Sequence, residues 1–499
     1  MSEPIGNDVA QSPLDILEKG VVSTSSGTKG LSAEFGEVKD LKQGLHQRHV
    51  QMIALAGTLG TGLFLSSGQS IAHGGPLGAL LGYSIIGTAA ISVVLAGAEM
   101  SALVPLNGGI IRFAEHFVDP ALCFAIGWNE VYAHIVSVPS ELSALAVLVK
   151  FWTDVNSAVW ITVFGALMLA TTLVFIRIYG ELEYGFSILK IALVIGVNLM
   201  ELRTSRSPLA RPDLHEHPSL LRPRGYFGRF SFSTARLPSR LLITVFFVGL
   251  IVPSDDSDLL LGSGNASESP FVIAAKRAGI PAIPSIVNAV VLTSAWSAGN
   301  SSLLWGSRIL YAMALEGRAP QLFTRINRFG IPYLSVLFYG MFMALGYMSL
   351  SSTAETVFSW LKTLVSISTL VNWMVITITY LRFYYGCRKQ GIDRRRLPWT
   401  APFQPYMSWW SIGLFVILLL TGGFSTFIHG HWDNQTFVST YLNIPLFFIL
   451  YFGYKLIRQS KVISLEKIPI EHFLTIAEEE EKEPESEGSK WKWWTFLWK

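Results

Sequence analysis

The run Ala-Gly-Thr-Leu-Gly-Thr-Gly at 56–62 is the first place in this 499-residue sequence where residue types and spacing could do chemistry. Gly57, Gly60 and Gly62 around Thr58 and Thr61 hold a helix poorly, since each glycine costs about 1 kcal/mol relative to alanine. An unwound turn there would expose backbone N–H groups at the start of a half-helix, where they and the positive end of the dipole suit a carboxylate. The same small residues would also let two membrane helices approach closely. Glu141 and Lys190 are candidates of another kind, because both stand inside long apolar runs. A charge there costs roughly 2.5–3.5 kcal/mol on insertion scales, which makes each a functional candidate. Lys190 could change protonation or snorkel to an interface. Pro139, just before Glu141, loosens its helix and favours a polar pocket. Asn300, Ser301 and Ser302 could line a site or glue helices together, with Arg308 and Glu316 following toward the end of the same run. Glu130 and His134 read as a wet helix end. Ser366, Ser368 and Thr369 interrupt a further apolar run, and Lys362 is a charge above them without an evident role.

The elements that must position these residues are membrane spans. Apolar residues are 51 % of the chain and charged ones only 15 %, whereas a soluble protein has about a quarter charged. The apolar residues fall into runs of roughly 18 to 25, enough to cross a hydrocarbon core of about 30 Å. Such runs occupy about 50–72, 78–103, 121–151, 158–176 and 183–200, then 241–253, 284–314, 333–350, 356–386, 407–428 and 437–458. Between Glu201 and Arg240 the chain is dense in Arg, Pro, Ser and Leu, and Pro208, Pro212, Pro218 and Pro223 forbid a continuous helix. Basic residues concentrate near Arg112, Arg177, Arg318 and Arg388–Arg396, as cytoplasmic loops do. An even number of spans must then separate Arg177 from Arg318, yet only three apolar runs lie between them. The polar first 48 residues lack a basic start, apolar core and cleavage site, so no removable signal is expected there. Cys123 and Cys387 give neither a disulfide framework nor a metal cluster.

The stretch HQRHVQMIALAGTLGTGLFLSSGQSIAHGGPLGALLGY at 46–83 resembles the opening of fungal amino acid permeases of the amino acid–polyamine–organocation superfamily. GWNEVYAHIVSVPSEL (127–142), YGELEYGFSILK (179–190), SPFVIAAKRAGIP (269–281) and SAGNSSLLWGSRILYAMALEGRAPQLF (297–323) resemble the same family. The resemblance implies an all-α membrane protein with an inverted five-plus-five helix repeat and two C-terminal helices, the first helix of each repeat broken near the midplane. It implies a substrate site drawn from Thr58, Gly60, Thr61, Gly62, Glu141 and Asn300. It also implies a proton-coupling role for Lys190, where a lysine stands in for sodium in sodium-independent relatives. Glu130 and His134 depart from the aromatic residues usual in that family. The family's Phe-Ser-Phe-Ser-Gly-Thr-Glu stretch is matched here only as far as Phe230-Ser231-Phe232-Ser233, which Thr234-Ala235-Arg236 follows.

The expected organisation is a cytosolic tail at 1–48 and a first repeat of five spans at 49–200. An Arg/Pro/Ser-rich segment at 201–240, left by a lost span or by a splice or frame error, replaces the sixth span, and 241–386 forms the rest of the second repeat. A basic loop at 387–406, two last spans at 407–458 and an acidic, aromatic tail at 459–499 complete about 11 spans instead of 12. The expected function is proton-coupled import of an amino acid, impaired by the missing span. Its rivals are a non-transporting amino acid sensor and a polyamine or choline permease. No enzyme motif, cofactor, metal site or nucleic-acid partner is implied, and the partners are the lipid bilayer, an amino acid and protons. The plasma membrane is the expected location of a folded chain, with retention in the endoplasmic reticulum as the alternative.

Overall fold

The computed structural model describes residues 67–482 apart from 104–109, 175, 205–271, 274–282, 351–353 and 430–431. The described residues form helices and turns, with no strand among them. The long helices are α1 (Ser67–Leu103), α3 (Pro120–Val149), α4 (Ser157–Val174), α5 (Ile176–Thr204), α6 (Ile283–Leu315) and α8 (Ala354–Lys389), with a short α2 (Ile110–Phe117) before α3. α7 (Tyr333–Phe342) continues as a 3₁₀ stretch to Leu350; α9 (Tyr406–Thr421), α10 (Asn434–Tyr441), α11 (Asn443–Arg458) and α12 (Ile470–Lys482) follow. Among the described residues five apolar segments are long enough to span a membrane: Gly74–Leu103, Pro120–Val149, Tyr333–Leu350, Thr356–Lys389 and Asn434–Arg458. α4 and α9 are apolar but shorter.

Local chemistry sets several of these boundaries. Within α1, Gly75 has φ 67°, a left-handed conformation that a side chain would strain, and Pro76 restarts the helix immediately after it. Asp119 begins α3: its carboxylate accepts the Leu122 N–H at 2.6 Å, and Pro120 takes the first helical position, where no N–H is needed. Asp433 caps α10 in the same way through the N–H groups of Gln435 and Thr436.

α3 is the central rod. Its most apolar stretch is 78 % buried, against 28 % for α1 and 22 % for α10–α11, and α6 and α8 pack along it. The peripheral helices turn large apolar side chains outward, Met341, Leu420, Ile449 and Leu456 among them. Outward apolar surface on helices whose backbone bonds are internally satisfied is what a lipid environment selects. α6 runs antiparallel to α3, since Gly127 lies against Met313 while Asn288 Nδ2 donates to the Leu148 carbonyl at 2.9 Å.

One end of the bundle is tied by buried charge. Glu99 at the end of α1 is fully enclosed and accepts from Arg394 Nη2 at 2.7 and 2.8 Å, Tyr380 OH at 2.6 Å and the Ala401 N–H at 2.9 Å. Arg318 pairs with Glu115 at 2.5 Å and Glu316 at 2.6 Å, and Lys455 with Asp119 at 3.0 Å. Gln390 Nε2 donates to the carbonyls of Leu465 and Ile468, and the Ile463 N–H to Val118, so the segment before α12 is bound to this end as well.

Candidate functional site

α5 carries Tyr179, Glu183 and Lys190 along one face, at three- to four-residue multiples that a helix stacks together. That face meets α6. Ser297 Oγ donates to Glu183 Oε2 at 2.7 Å and accepts from Lys190 Nζ at 3.1 Å, so one hydroxyl joins an anion to a cation. Glu183, Lys190 and Ser297 are each no more than 2 % exposed. Tyr179 OH and Ser301 Oγ lie 2.8 Å apart one turn along α6. Because Tyr179 meets Ser301 while Lys190 meets Ser297, α5 and α6 also run antiparallel.

Glu141 sits on the α3 side of the same region. Gly299 makes room for it, since a Cβ there would come within 3.2 Å of Glu141 Cβ and 2.7 Å of Met168 Cε. Lys362 Nζ on α8 approaches Glu141 Oε1 to 3.9 Å, and Lys190 lies within the field of the same carboxylate. The charge that had no evident role in the sequence is therefore a counter-ion. Two carboxylates and two ammonium groups, from α3, α5 and α8, converge beside α6 with formal charges that cancel. Enclosed charges of one sign would be expelled from such a setting.

Asn300 also faces inward, toward α4. Its Oδ1 accepts from Thr172 at 3.0 Å and Thr171 at 3.2 Å, and its Nδ2 is buried without a hydrogen bond. Ser302 pairs with Ser137 at 3.0 Å. Ser366 and Thr369 bond to carbonyls of their own helix, whereas Ser368 joins a cluster that sequence reading did not single out. In that cluster Asn129 donates to Asn372 Oδ1 at 2.6 Å and accepts from Asn443 Nδ2 at 2.7 Å, binding α3 to α8 and α11. The signal was a set of amides in apolar runs; their pairing spans more than two hundred residues of sequence and left no trace in it.

Glu130 and His134 stand well inside α3 rather than at a wet helix end. His134 Nε2 lies 3.9 Å from Glu130 Oε2, and Tyr339 OH on α7, buried beside them, has no hydrogen-bond partner. Gly306 permits this approach, because a Cβ there would fall 2.8 Å from Tyr339 Cζ and 2.9 Å from His134 Cβ. Thr58, Gly60, Thr61 and Gly62 lie outside the described residues, as do Phe230–Arg236. Asn434, the first residue of an Asn-Gln-Thr glycosylation sequon, opens α10 and accepts from Trp432 Nε1 at 2.6 Å. Cys123 and Cys387 are free and buried, and no metal-binding group of His, Cys, Asp or Glu occurs among the described residues.

The amino acid permease family model matches residues 49–214 and 240–466. The chain belongs to the amino acid permease family. It is 31 % identical to the dicarboxylic amino acid permease of Saccharomyces cerevisiae, over 94 % of this chain and 88 % of that protein. It is also 31 % identical to the proline-specific permease of the same yeast, over 84 % of this chain and 76 % of that one. A lysine/arginine permease of Candida albicans is 31 % identical over 88 % and 83 %. Among solved structures, the inward-facing conformation of Mhp1 is similar over 85 % of this chain and 94 % of that chain, at 13 % identity and a TM-score of 0.36. This permease is thus a multi-pass membrane protein and a transporter, not an enzyme. The family match is interrupted at 215–239, and that gap falls within the Arg/Pro/Ser-rich segment.

Proposed function

We propose that this permease is built for proton-coupled import of an amino acid, and that the chain as written transports little or nothing because it lacks the sixth family helix. In this reading the Thr58–Gly62 turn receives the substrate carboxylate, and Glu141 and Asn300 complete the polar wall. Lys190 is the group whose protonation changes during the cycle. The observation that carries the coupling role is the Glu183–Ser297–Lys190 chain, enclosed among apolar helices and next to Glu141. A hydroxyl between an acid and an amine can pass a proton by rotating, and the nearby carboxylates make either state of the lysine tolerable.

The impairment is supported by helix direction. α6 ends at the basic face, where Arg318 meets Glu115, so Ile283 opens on the opposite face. α5 is antiparallel to α6, so Thr204 ends on that opposite face too. A chain leaving and rejoining one face must cross the membrane an even number of times. The intervening sequence offers a single apolar run, 241–253, and the family match fails just before it.

The three relatives' names specify acidic, neutral and basic amino acids at one and the same identity, which leaves an amino acid as the shared substrate class. Uptake of labelled amino acids in a permease-deficient host tests the impairment, and Gly60→Leu in a chain that does transport, such as one with the sixth helix restored, tests the carboxylate site. No uptake is expected from the chain as written. Uptake at a family-typical rate would sink the impairment, and uptake that survives Gly60→Leu would sink the carboxylate site. Sequencing the transcript across codons 195–245 separates a true deletion from a mis-spliced segment.

A further inference from the structure

An apolar slot of about 230 Å³ opens between α3, α8, α9 and α11. Leu122, Val375, Ile378, Leu419 and Phe448 form its walls, and Tyr451 is the one residue of the lining with a hydroxyl. That hydroxyl marks the end of the slot facing the basic side of the bundle, where it lies 3.0 Å from Asp119 Oδ2 and 2.9 Å from Lys455 Nζ. Cations outnumber anions at this mouth. Lys455 is paired with Asp119. Arg382 lies in the field of the same carboxylate, yet it donates to two neutral carbonyls, those of Phe117 and Ile463. Arg458 is exposed on the last turn of α11, one turn beyond Lys455. Asp119 is thus answered by Lys455 and Arg382 together, and Arg458 adds positive charge one turn farther along α11.

We propose that the slot is a binding site for an anionic glycerophospholipid of the leaflet on the basic side. One acyl chain lies along Leu122, Ile378 and Phe448, and the phosphate sits against Lys455, Arg458 and the outer edge of Arg382. An apolar wall alone would accept any lipid tail. The uncompensated positive charge at its mouth is what selects an anionic headgroup, as basic pockets between spanning helices do. Tyr451, which lines the slot and whose hydroxyl bonds to Asp119 and Lys455, has the amphipathic character of side chains that settle at headgroup level. This site is separate from the charge cluster on α5 and α6, and it does not depend on whether the chain transports.

Native mass spectrometry of the full chain, released from nanodiscs of equimolar dioleoyl phosphatidylserine and dioleoyl phosphatidylcholine, tests it. Phosphatidylserine is expected to dominate the retained lipid. Arg458→Gln, which alters an exposed side chain, should lower that preference about fivefold, the worth of one cation near an anionic surface. Ile378→Trp should remove the tightly held lipid of either kind while the variant still elutes as a folded monodisperse species. Equal retention of the two lipids by the unaltered chain, or a phosphatidylserine preference untouched by both variants, would overturn the proposal.

Discussion

Replacing Arg394 by Gln removes most of what holds the Glu99 carboxylate. Glu99 has a side chain with no exposure, and Arg394 supplies its Nε at 3.1 Å and its Nη2 at 2.7 and 2.8 Å, leaving only Tyr380 OH and the Ala401 N–H in the variant. Removing one partner of a buried pair costs about 3–5 kcal/mol. Arg394 is itself 27 % exposed, so water can partly replace it and the low end applies, about 3 kcal/mol, or roughly a hundredfold in the folded-to-unfolded ratio. The second substitution, Glu99→Gln, removes the charge that Arg394→Gln strands, while its amide oxygen can still accept from Tyr380 and Ala401. The double variant should therefore be more stable than Arg394→Gln alone, with a coupling of about 1–3 kcal/mol. Heating detergent-solubilised protein and following the folded fraction by size-exclusion fluorescence measures the order of the four proteins. Wild-type melting in Arg394→Gln, or a double variant that loses the sum of the two singles, would refute the view that this contact locks α1 to the 390–401 loop.

The other expectations use the same melting assay. Gly306→Ala should destabilise by about 1–3 kcal/mol, because its methyl group meets Tyr339 and His134 below 3 Å, whereas Gly82→Ala, with open space around it, should be neutral or slightly stabilising. Lys362→Met should change stability by less than about 1 kcal/mol, since the lysine is 32 % exposed and its contact with Glu141 is long at 3.9 Å. A large loss there would make the pair structural. Stability should fall as the medium is acidified below about pH 6.5. Burial holds His116 below the usual histidine range, and Arg112 and Arg318 push the same way against the pull of Glu115. The folded protein keeps this imidazole neutral while the unfolded chain protonates first, so protons favour unfolding. Its Nε2 is buried without a partner, and its ring stands edge-on to Phe473 at 5.7 Å. His116→Gln should flatten that part of the pH profile; an unchanged slope would assign it elsewhere.

Helices were legible in the sequence because hydrocarbon imposes a length and a composition that few other settings do. The apolar runs starting near 121, 284 and 356 reappear as α3, α6 and α8 within a few residues. Their partners were not legible. Lys362 meets a carboxylate 221 positions away, Arg394 one 295 positions away, and Asn129 binds amides at 372 and 443. Nothing in local periodicity encodes which of several buried polar residues will face one another, since each satisfies the same rule that a charge or amide in lipid must find a complement. Glu130 and His134 show the limit from the other side. Read locally, an acid and an imidazole four residues apart suit a solvated helix end. Only the packing of α6 and α7 against them, made possible by the missing Cβ at Gly306, turns them into a half-buried pair in the middle of α3. The sequence carries the solvent of this protein in every span, but the partners of its charges exist only once the helix directions are fixed. Those directions also place Thr204 and Ile283 on one face, because the antiparallel contacts on α6 fix where each helix end lies.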